Sequence, residues 1–519
     1  MSAISKATAL VLGSLLATTI SIHSAEAGGQ AVDVLVKVDA SKSSAFTRSL
    51  TTMTKSSGGK VEAITSTLRD GTQWVSIKSP VKSSRLSMQS LKSMSGVRLV
   101  QPNYPIRQLN NYRIENAVQR EALAQAMKSS GFKAQDGRTI EQVLAGVPSK
   151  AKVDNPEIPK ATTPGTGADG LANNQWGMID NGVQNAWKGA KGEGVVVSVL
   201  DSGVDYTHED LVDNMWRNPG ESGLDAKGKD KASNGVDDDL NGYIDDVVGW
   251  DFVTNDNKPF DLSVEPMDLL FGGGNPGHGT HCAGNVAARG DNGKGVAGVA
   301  PRAKIMALRF LSEKGEGSTE GAIKSIEYSI KMGVRVSSNS WGSSGEDPED
   351  AAGNQALRDV IEEARLAGQL FVAAAGNGDA QGKGYDNDTS KAPAYPASYP
   401  HENIISVAAL DKSDALGGFS NWGATSVDMG APGVAVYSTT VENGYSDKVI
   451  DLPQFGISVT WDGTSMAAPH VSGAAALYLA DHPKATLAEV KSAVMKATKP
   501  VSTMSSKATT NGKLSVEKI

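Results

Sequence analysis

The 519-residue chain has a single cysteine, Cys282. No disulfide can form within it, so stability in an oxidising compartment must come from packing or from bound ions. Aromatic residues are scarce at 5% and histidines number seven, which makes the place of each histidine informative. Beyond the N-terminus there is no long uninterrupted apolar run, which argues against an internal membrane span. Neither a nucleic-acid partner nor stable membrane insertion is expected, and a monomer is. Length is not lacking, and the chain is long enough for more than one domain and a sizeable core.

Charge is present but unevenly spread. Residues 28–167 carry 20 Lys+Arg against 10 Asp+Glu, a net of +10, and residues 168–519 carry 29 against 47, a net of −18. The two parts should attract each other. At the N-terminus, Lys6 precedes the apolar stretch Ala7 to Ile22 and the small-x-small run Ala25-Glu26-Ala27. That order predicts a secretory signal peptide over 1–27, with a short anchor helix as the alternative. The mature protein is expected to be secreted and extracellular, or periplasmic in a Gram-negative bacterium.

From Ala31 the sequence alternates, and Val32 to Lys37, Gln73 to Ile77 and Val97 to Tyr104 read as strands. Ser43 to Met53 and Ser84 to Met94 have helical spacing, so 28–107 is expected to be a small α+β domain. Residues 108–167 read as a linker with helical pieces, including Ile114 to Met127. Their end, Val153 to Gly170, is rich in Pro, Gly and Thr. From 168 onward, apolar runs (Val195 to Leu200, Lys304 to Phe310, Val334 to Ser338, Leu370 to Ala375, Ile404 to Ala409) alternate with helical ones at Glu320 to Met332 and Ala356 to Ala367. The predicted fold class is α/β, a parallel central sheet with helices on both faces. Thr486 and Glu489 form a capping box opening the last helix.

Chemistry concentrates in three stretches. Gly463-Thr464-Ser465 opens a small-residue apolar run, placing a hydroxyl in the first turn of a buried helix, where N–H groups and the dipole favour an oxyanion. Ser465 is a candidate nucleophile, and a plain helix-capping role is the bland alternative. Gly277-His278-Gly279-Thr280-His281-Cys282 opens a second such helix. Val195 to Leu200 ends in Asp201, and open α/β sheets place their sites at the C-terminal ends of strands. A hydroxyl needs a base, and a base needs an orienting carboxylate.

With these motifs in the order Asp, His, Ser, the chain resembles the subtilisin-like serine peptidases, in flavour the thermitase and proteinase K branches. The resemblance implies that Asp201 orients, His278 is the general base and Ser465 the nucleophile. Asn377, closing Leu370 to Gly376, would donate to the oxyanion. It also implies that 168–519 is the catalytic domain, starting near Asn174-Gln175-Trp176-Gly177. The 28–107 domain then resembles the family's inhibitory propeptide, an intramolecular inhibitor, although an unrelated N-terminal binding domain would have the same pattern. The stretch between these domains is longer than the family usually has. The maturation point is therefore expected anywhere from about Tyr104 to Leu171. By the same resemblance Ser340, Trp341, Gly342, Gly376 and Ala394 line the pocket for the residue before the scissile bond. With no charge among them, an apolar or broad preference is expected.

Metal sites are expected from two sources. Around Gly242, Asp237, Asp239, Asn241 and Asp245 alternate as oxygen donors suited to Ca2+, although Val248 stands where an EF-hand needs its glutamate; a solvated acidic turn is the alternative. The family resemblance alone implies a second Ca2+ held by Gln175, Asp210 and either Asp291 or Asn292. A zinc cluster of His278, His281 and Cys282 lacks a fourth ligand and leaves the serine and aspartate motifs unexplained. His208 is expected in a surface turn, and Cys282 as a buried structural thiol. The expected function is a secreted serine endopeptidase acting on polypeptides through an acyl-enzyme on Ser465, made as a zymogen and matured by cleavage. The alternatives are a catalytically silent binding protein and a transpeptidase or ligase of the same fold. An α/β-hydrolase lipase is excluded, because Ala467 replaces the second glycine of its motif and the residue order differs.

Overall fold

A computed structural model describes residues 32–519 except 56–57, 80–86, 110–111, 115, 148–154, 161–164 and 343–352. The signal peptide expected over 1–27 lies outside the described residues. The N-terminal domain is an antiparallel sheet of β1 (Val32–Asp39), β2 (Lys60–Ala63), β3 (Thr72–Ser79) and β4 (Val97–Pro102), in the order β2-β3-β1-β4. Two helices, Ala40–Thr54 and Met88–Lys92, accompany it. The alternation of β1 explains its two faces. Val34, Val36 and Val38 pack with Phe46 and Leu50 of the first helix, while Leu35 points the other way and packs with Trp74, Ile64 and Leu68 against the rest of the molecule. The four-residue β2 carries too little pattern to stand out in the sequence.

Among the described residues the central sheet has nine strands. In chain order these are β6 (Val196–Asp201), β7 (Gly249–Asp251), β8 (Lys304–Arg309), β9 (Val336–Asn339), β10 (Leu370–Ala374), β11 (Ile404–Leu410), β12 (Met429–Pro432), β13 (Thr498–Pro500) and β14 (Gly512–Leu514). Their spatial order is β13-β14-β12-β11-β10-β9-β6-β8-β7, parallel throughout except for the edge strand β13. Burial on both faces is why β10 and β11 are apolar without alternation. The helix Thr464–Asp481, buried on nearly every side, packs against this sheet and against the helix His278–Ala287. Helices Thr319–Lys331 and Gln355–Leu366 cover the other face, with Gly368 supplying the left-handed residue just past the end of the second.

Between the two domains lies a strand that the sequence does not announce. β5 (Pro105–Gln108) sits in a three-stranded antiparallel sheet, flanked by Trp341–Gly342 on one side and Glu316–Ser318 on the other. The region expected to be a linker is also better organised than its composition suggests. Helices Ala117–Ser129 and Ile140–Leu144 bury Met127, Ile140 and Val143 against Met267, Leu270 and Phe271 of the helix Pro266–Gly272, so the core absent from their own sequence is borrowed.

Candidate active site

Asp201 ends β6, and His278 opens its helix behind Gly277. His278 Nδ1 donates to Asp201 Oδ1 at 2.7 Å, and both side chains are fully buried. Gly279 makes this approach possible: a Cβ there would lie 2.1 Å from the Gly203 carbonyl and 3.1 Å from Asp201 Cβ. Burial alone would push the His278 imidazole down, but the Asp201 carboxylate outweighs it and the net direction is well above the usual histidine value. Asp261, unremarked in the sequence, holds this arrangement in place. It accepts from Ser202 Oγ (2.9 Å), Asn275 Nδ2 (2.7 Å), Thr280 N (2.8 Å) and Thr280 Oγ1 (2.7 Å), while the Ser202 and His278 amides donate to Asp201 and Asn275. Its four hydrogen bonds come from three residues, Ser202, Asn275 and Thr280, none of them near it in sequence, so no local pattern marks it.

Ser465 lies in the first turn of its helix, and its hydroxyl donates to the Ser340 carbonyl at 3.0 Å. Ser340 Oγ returns the bond to the Ser465 carbonyl at 2.8 Å. Cys282 Sγ also donates to that carbonyl, at 3.4 Å, tying the serine helix to the residue one turn after His278. His278 Nε2 has no hydrogen-bond partner among the described residues. Asn377 Oδ1 accepts from Thr464 N and Oγ1 at 2.9 and 2.8 Å, which orients its amide. Asn377 Nδ2 then donates to the carbonyl oxygen of Leu109, 2.9 Å away.

That contact defines a cleft. β5 delivers Leu109 between two edge strands, and Leu109 Cδ2 lies 3.4 Å from where a Gly342 Cβ would be. A Cβ on Gly376, whose φ is 112°, would be 2.7 Å from Ala394 Cβ, so these residues leave a small apolar space. Trp341 contributes only backbone here, because its ring is fully buried against Phe310 and Phe371.

His281 faces away from His278. It stacks on Trp461 at 4.2 Å, and its Nε2 pairs with the Val436 carbonyl. Burial pushes it down to about 3. His281 is therefore not grouped with His278 and Cys282, which lie together with Asp201 instead. His208 corrects an expectation: it is fully buried rather than in a surface turn, with Nε2 on the Gly444 carbonyl and Nδ1 accepting from Asp210 N. Burial depresses its basicity, so it is a structural imidazole. Cys282 is buried, as expected.

The acidic loop gathers Asp237 and Asp239 with Glu221, their carboxylate oxygens all within 4.8 Å of one another. Glu221 is fully buried and its Oε2 has no partner among the described residues. Burial, then the charges of Asp246, Asp239 and Asp238, push it up to about 7. Asn241 borders the group, but its amide is turned to Asp239 and Asp246. Asp245 points elsewhere, both oxygens accepting from Gly235 N. Glu221 lies outside the alternating run, so sequence reading missed it. At the second candidate site, Asp210 accepts from Asn292 Nδ2 and Val296 N at 2.8 Å, and Gln175 pairs with the Ala297 backbone. Asp291 is drawn away to Lys191 at 2.7 Å. Of the two loop candidates, Asn292 is the one beside Asp210.

The comparisons agree with this fold. Residues 192–515 match the model of the subtilase family. The chain is 33% identical over 307 residues to thermitase of Thermoactinomyces vulgaris, covering 59% of this chain and 82% of that protein. It is 34% identical over 304 residues to a thermophilic serine proteinase of Bacillus sp. strain AK1, covering 58% and 57%. Over 215 residues it is 36% identical to subtilisin DY of Bacillus licheniformis, covering 41% and 68%. The chain belongs to the subtilase family.

Proposed function

We propose that the chain is the precursor of a serine endopeptidase that cuts itself after Leu109. One observation carries this reading: a segment of the chain lies as a strand in the cleft, with its terminal carbonyl on the Asn377 amide. Backbone pairing of this kind recognises a polypeptide without fixing its sequence. Turning from the Ser340 carbonyl to His278 Nε2, the Ser465 hydroxyl attacks the Leu109 carbonyl carbon and His278 takes its proton. Negative charge collects on the carbonyl oxygen, where the Asn377 amide stabilises it. The amine of the following residue leaves with the proton from His278, and water releases the acyl group from Ser465. Asp201 keeps His278 Nδ1 protonated and supports the transient cation.

Residues 28–107 act in this reading as the inhibitory propeptide, and the apolar space by Gly342, Gly376 and Ala394 favours a small or apolar residue such as Leu109 before the cut. The N-terminal pattern of 1–27 supports export. Ca2+ fits Glu221, Asp237 and Asp239, since an unpartnered buried carboxylate oxygen faces two others; there it would be structural, holding the loop. Gln175, Asp210 and Asn292 remain the proposed second site.

Intact mass and N-terminal sequencing of wild type and Ser465→Ala test the reading. Wild type is expected to yield a new chain starting at residue 110, and Ser465→Ala to stay whole. A mature Ser465→Ala protein would remove Ser465 from the mechanism. Chelation is expected to lower the melting temperature of wild type by more than that of Glu221→Gln, which keeps only the second site; an equal drop in both would take the ion away from Glu221.

A further inference from the structure

We propose that the described residues of 112–147, chiefly the helices Ala117–Ser129 and Ile140–Leu144, form a cover over the leaving-group side of the cleft, which stays docked after the cut following Leu109 and excludes long polypeptides until it is displaced. The inference rests on the peptidase reading above. By chain direction, Tyr112 and the described residues that follow it continue from the side where a substrate's leaving portion must go. Tyr112, three residues on, is buried edge-on to Trp461 with ring centroids 6.1 Å apart. Trp461 stacks on His281 of the histidine helix and stands three residues before Thr464, which orients Asn377. The chain is then fastened outward. Ile114 N donates to the Leu270 carbonyl at 3.0 Å.

The two helices that follow give this fastening its strength. Met127, Ile140 and Val143 share one buried cluster with Met267, Leu270 and Phe271, and Phe132 meets Phe455 edge-on at 5.2 Å. Arg138 is 3% exposed and holds Asp268 through two bonds, Nη1 to Oδ1 at 3.2 Å and Nη2 to Oδ2 at 2.7 Å. Thr139 and Gln142 form a capping box that fixes the second helix. The N-terminal domain becomes a separate chain once the bond after Leu109 is broken and can diffuse away. Residues 112–147, in contrast, remain joined to the catalytic domain through the following linker, so their docking is intramolecular and favoured by a high effective concentration.

Two substrates separate this inference from the reading it rests on. A peptidyl anilide has only a small leaving group beyond the scissile bond; an internally quenched peptide extends at least five residues past it. Both are assayed with self-processed full chain, and with Met127→Asp/Val143→Asp processed in the same way, its cover undocked. The anilide kcat/KM is expected to agree within about threefold between the two, and the long-peptide kcat/KM to rise about tenfold or more in the variant, at least 1.4 kcal/mol of relieved exclusion. A foreign protease site inserted between residues 147 and 155, cut after self-processing, gives a second route to the same comparison in case the double variant does not fold. An unchanged ratio of long-peptide to anilide rates in the released enzyme overturns the cover. No anilide hydrolysis in any preparation overturns the peptidase reading and the cover with it.

Discussion

The N-terminal domain and residues 112–147 flank the same carbonyl, and both bury apolar side chains, but they differ in how much charge holds them. The first adds several ion pairs to the apolar contact that Leu35, Ile64, Leu68 and Trp74 make with the rest of the molecule. Lys37 reaches Asp359 at 2.8 Å and Lys78 reaches Glu320 at 3.0 Å, and Trp74 Nε1 donates to Asp359. Lys324 of the catalytic domain answers with Glu62. The Lys37 and Lys78 pairs follow the opposite net charges visible in the sequence, and the Lys324 pair runs the other way. Residues 112–147 dock mainly by apolar burial around Met127, with Arg138 holding Asp268 as an ionic anchor. Charge docking weakens with salt and acid, whereas apolar burial does not. In the proposed maturation, the part that leaves as a separate chain is the part whose ion pairs salt and acid can loosen.

Ser465→Ala is expected to have the largest effect. Without the nucleophile the two flanking parts are never separated, and peptide hydrolysis should fall by on the order of 10⁴ or more, read by progress curves. Asn377→Ala should slow both self-cutting and peptide hydrolysis about 10²- to 10³-fold, because the Leu109 carbonyl loses its side-chain donor. An equal rate would take Asn377 out of the site.

Met127→Ala, truncating a fully buried side chain, should loosen the 112–147 docking by about 2–5 kcal/mol, seen as faster hydrogen exchange in those helices with the N-terminal domain unchanged. If both regions loosened together, they would not be independent.

The smallest effect is the pH dependence of the other interface. Glu320 would be raised by its burial, but Lys324 and Lys78 outweigh this and lower it from 4.5 to about 2. A carboxylate with a depressed folded value contributes stability that is complete above about pH 4.5 and fades as pH falls through about 2. Acidification over that window should release the N-terminal domain of Ser465→Ala before the 112–147 cover, as followed by limited proteolysis. Glu320→Gln should flatten the dependence.

Catalysis has the opposite sign. His278 must be neutral to accept a proton, and its raised value means that hydrolysis should grow as pH rises through and above the ordinary histidine range. Activity independent of pH across that range would place another base in the site.

Much of this was legible because certain residue types carry their own geometry. Asp201 closes a buried strand, and His278 and Ser465 each follow a glycine into a tightly packed helix, so their motifs survive without knowledge of the surroundings. Val34 and Val36, Ile404 to Leu410 and the box of Thr486 and Glu489 are equally local signals. Glu221 was illegible because the two aspartates it faces lie 16 and 18 positions further on. Asp245 looked like a ligand by alternation, yet its left-handed backbone, φ 54°, turns the chain and its carboxylate caps Gly235 instead.

Short-range pattern and composition were enough for the α/β class, the order and place of Asp201, His278 and Ser465, and the opposed charges of the two parts. Only the tertiary structure decided that Pro105 to Gln108 is a strand, because its partners are the edges of segments more than 200 residues away. It also decided that Leu109 is the residue presented to Asn377, and that the helices of 112–147 find their core on Met267, Leu270 and Phe271. A backbone hydrogen bond or a borrowed apolar face leaves no mark on the side chains of the segment that receives it.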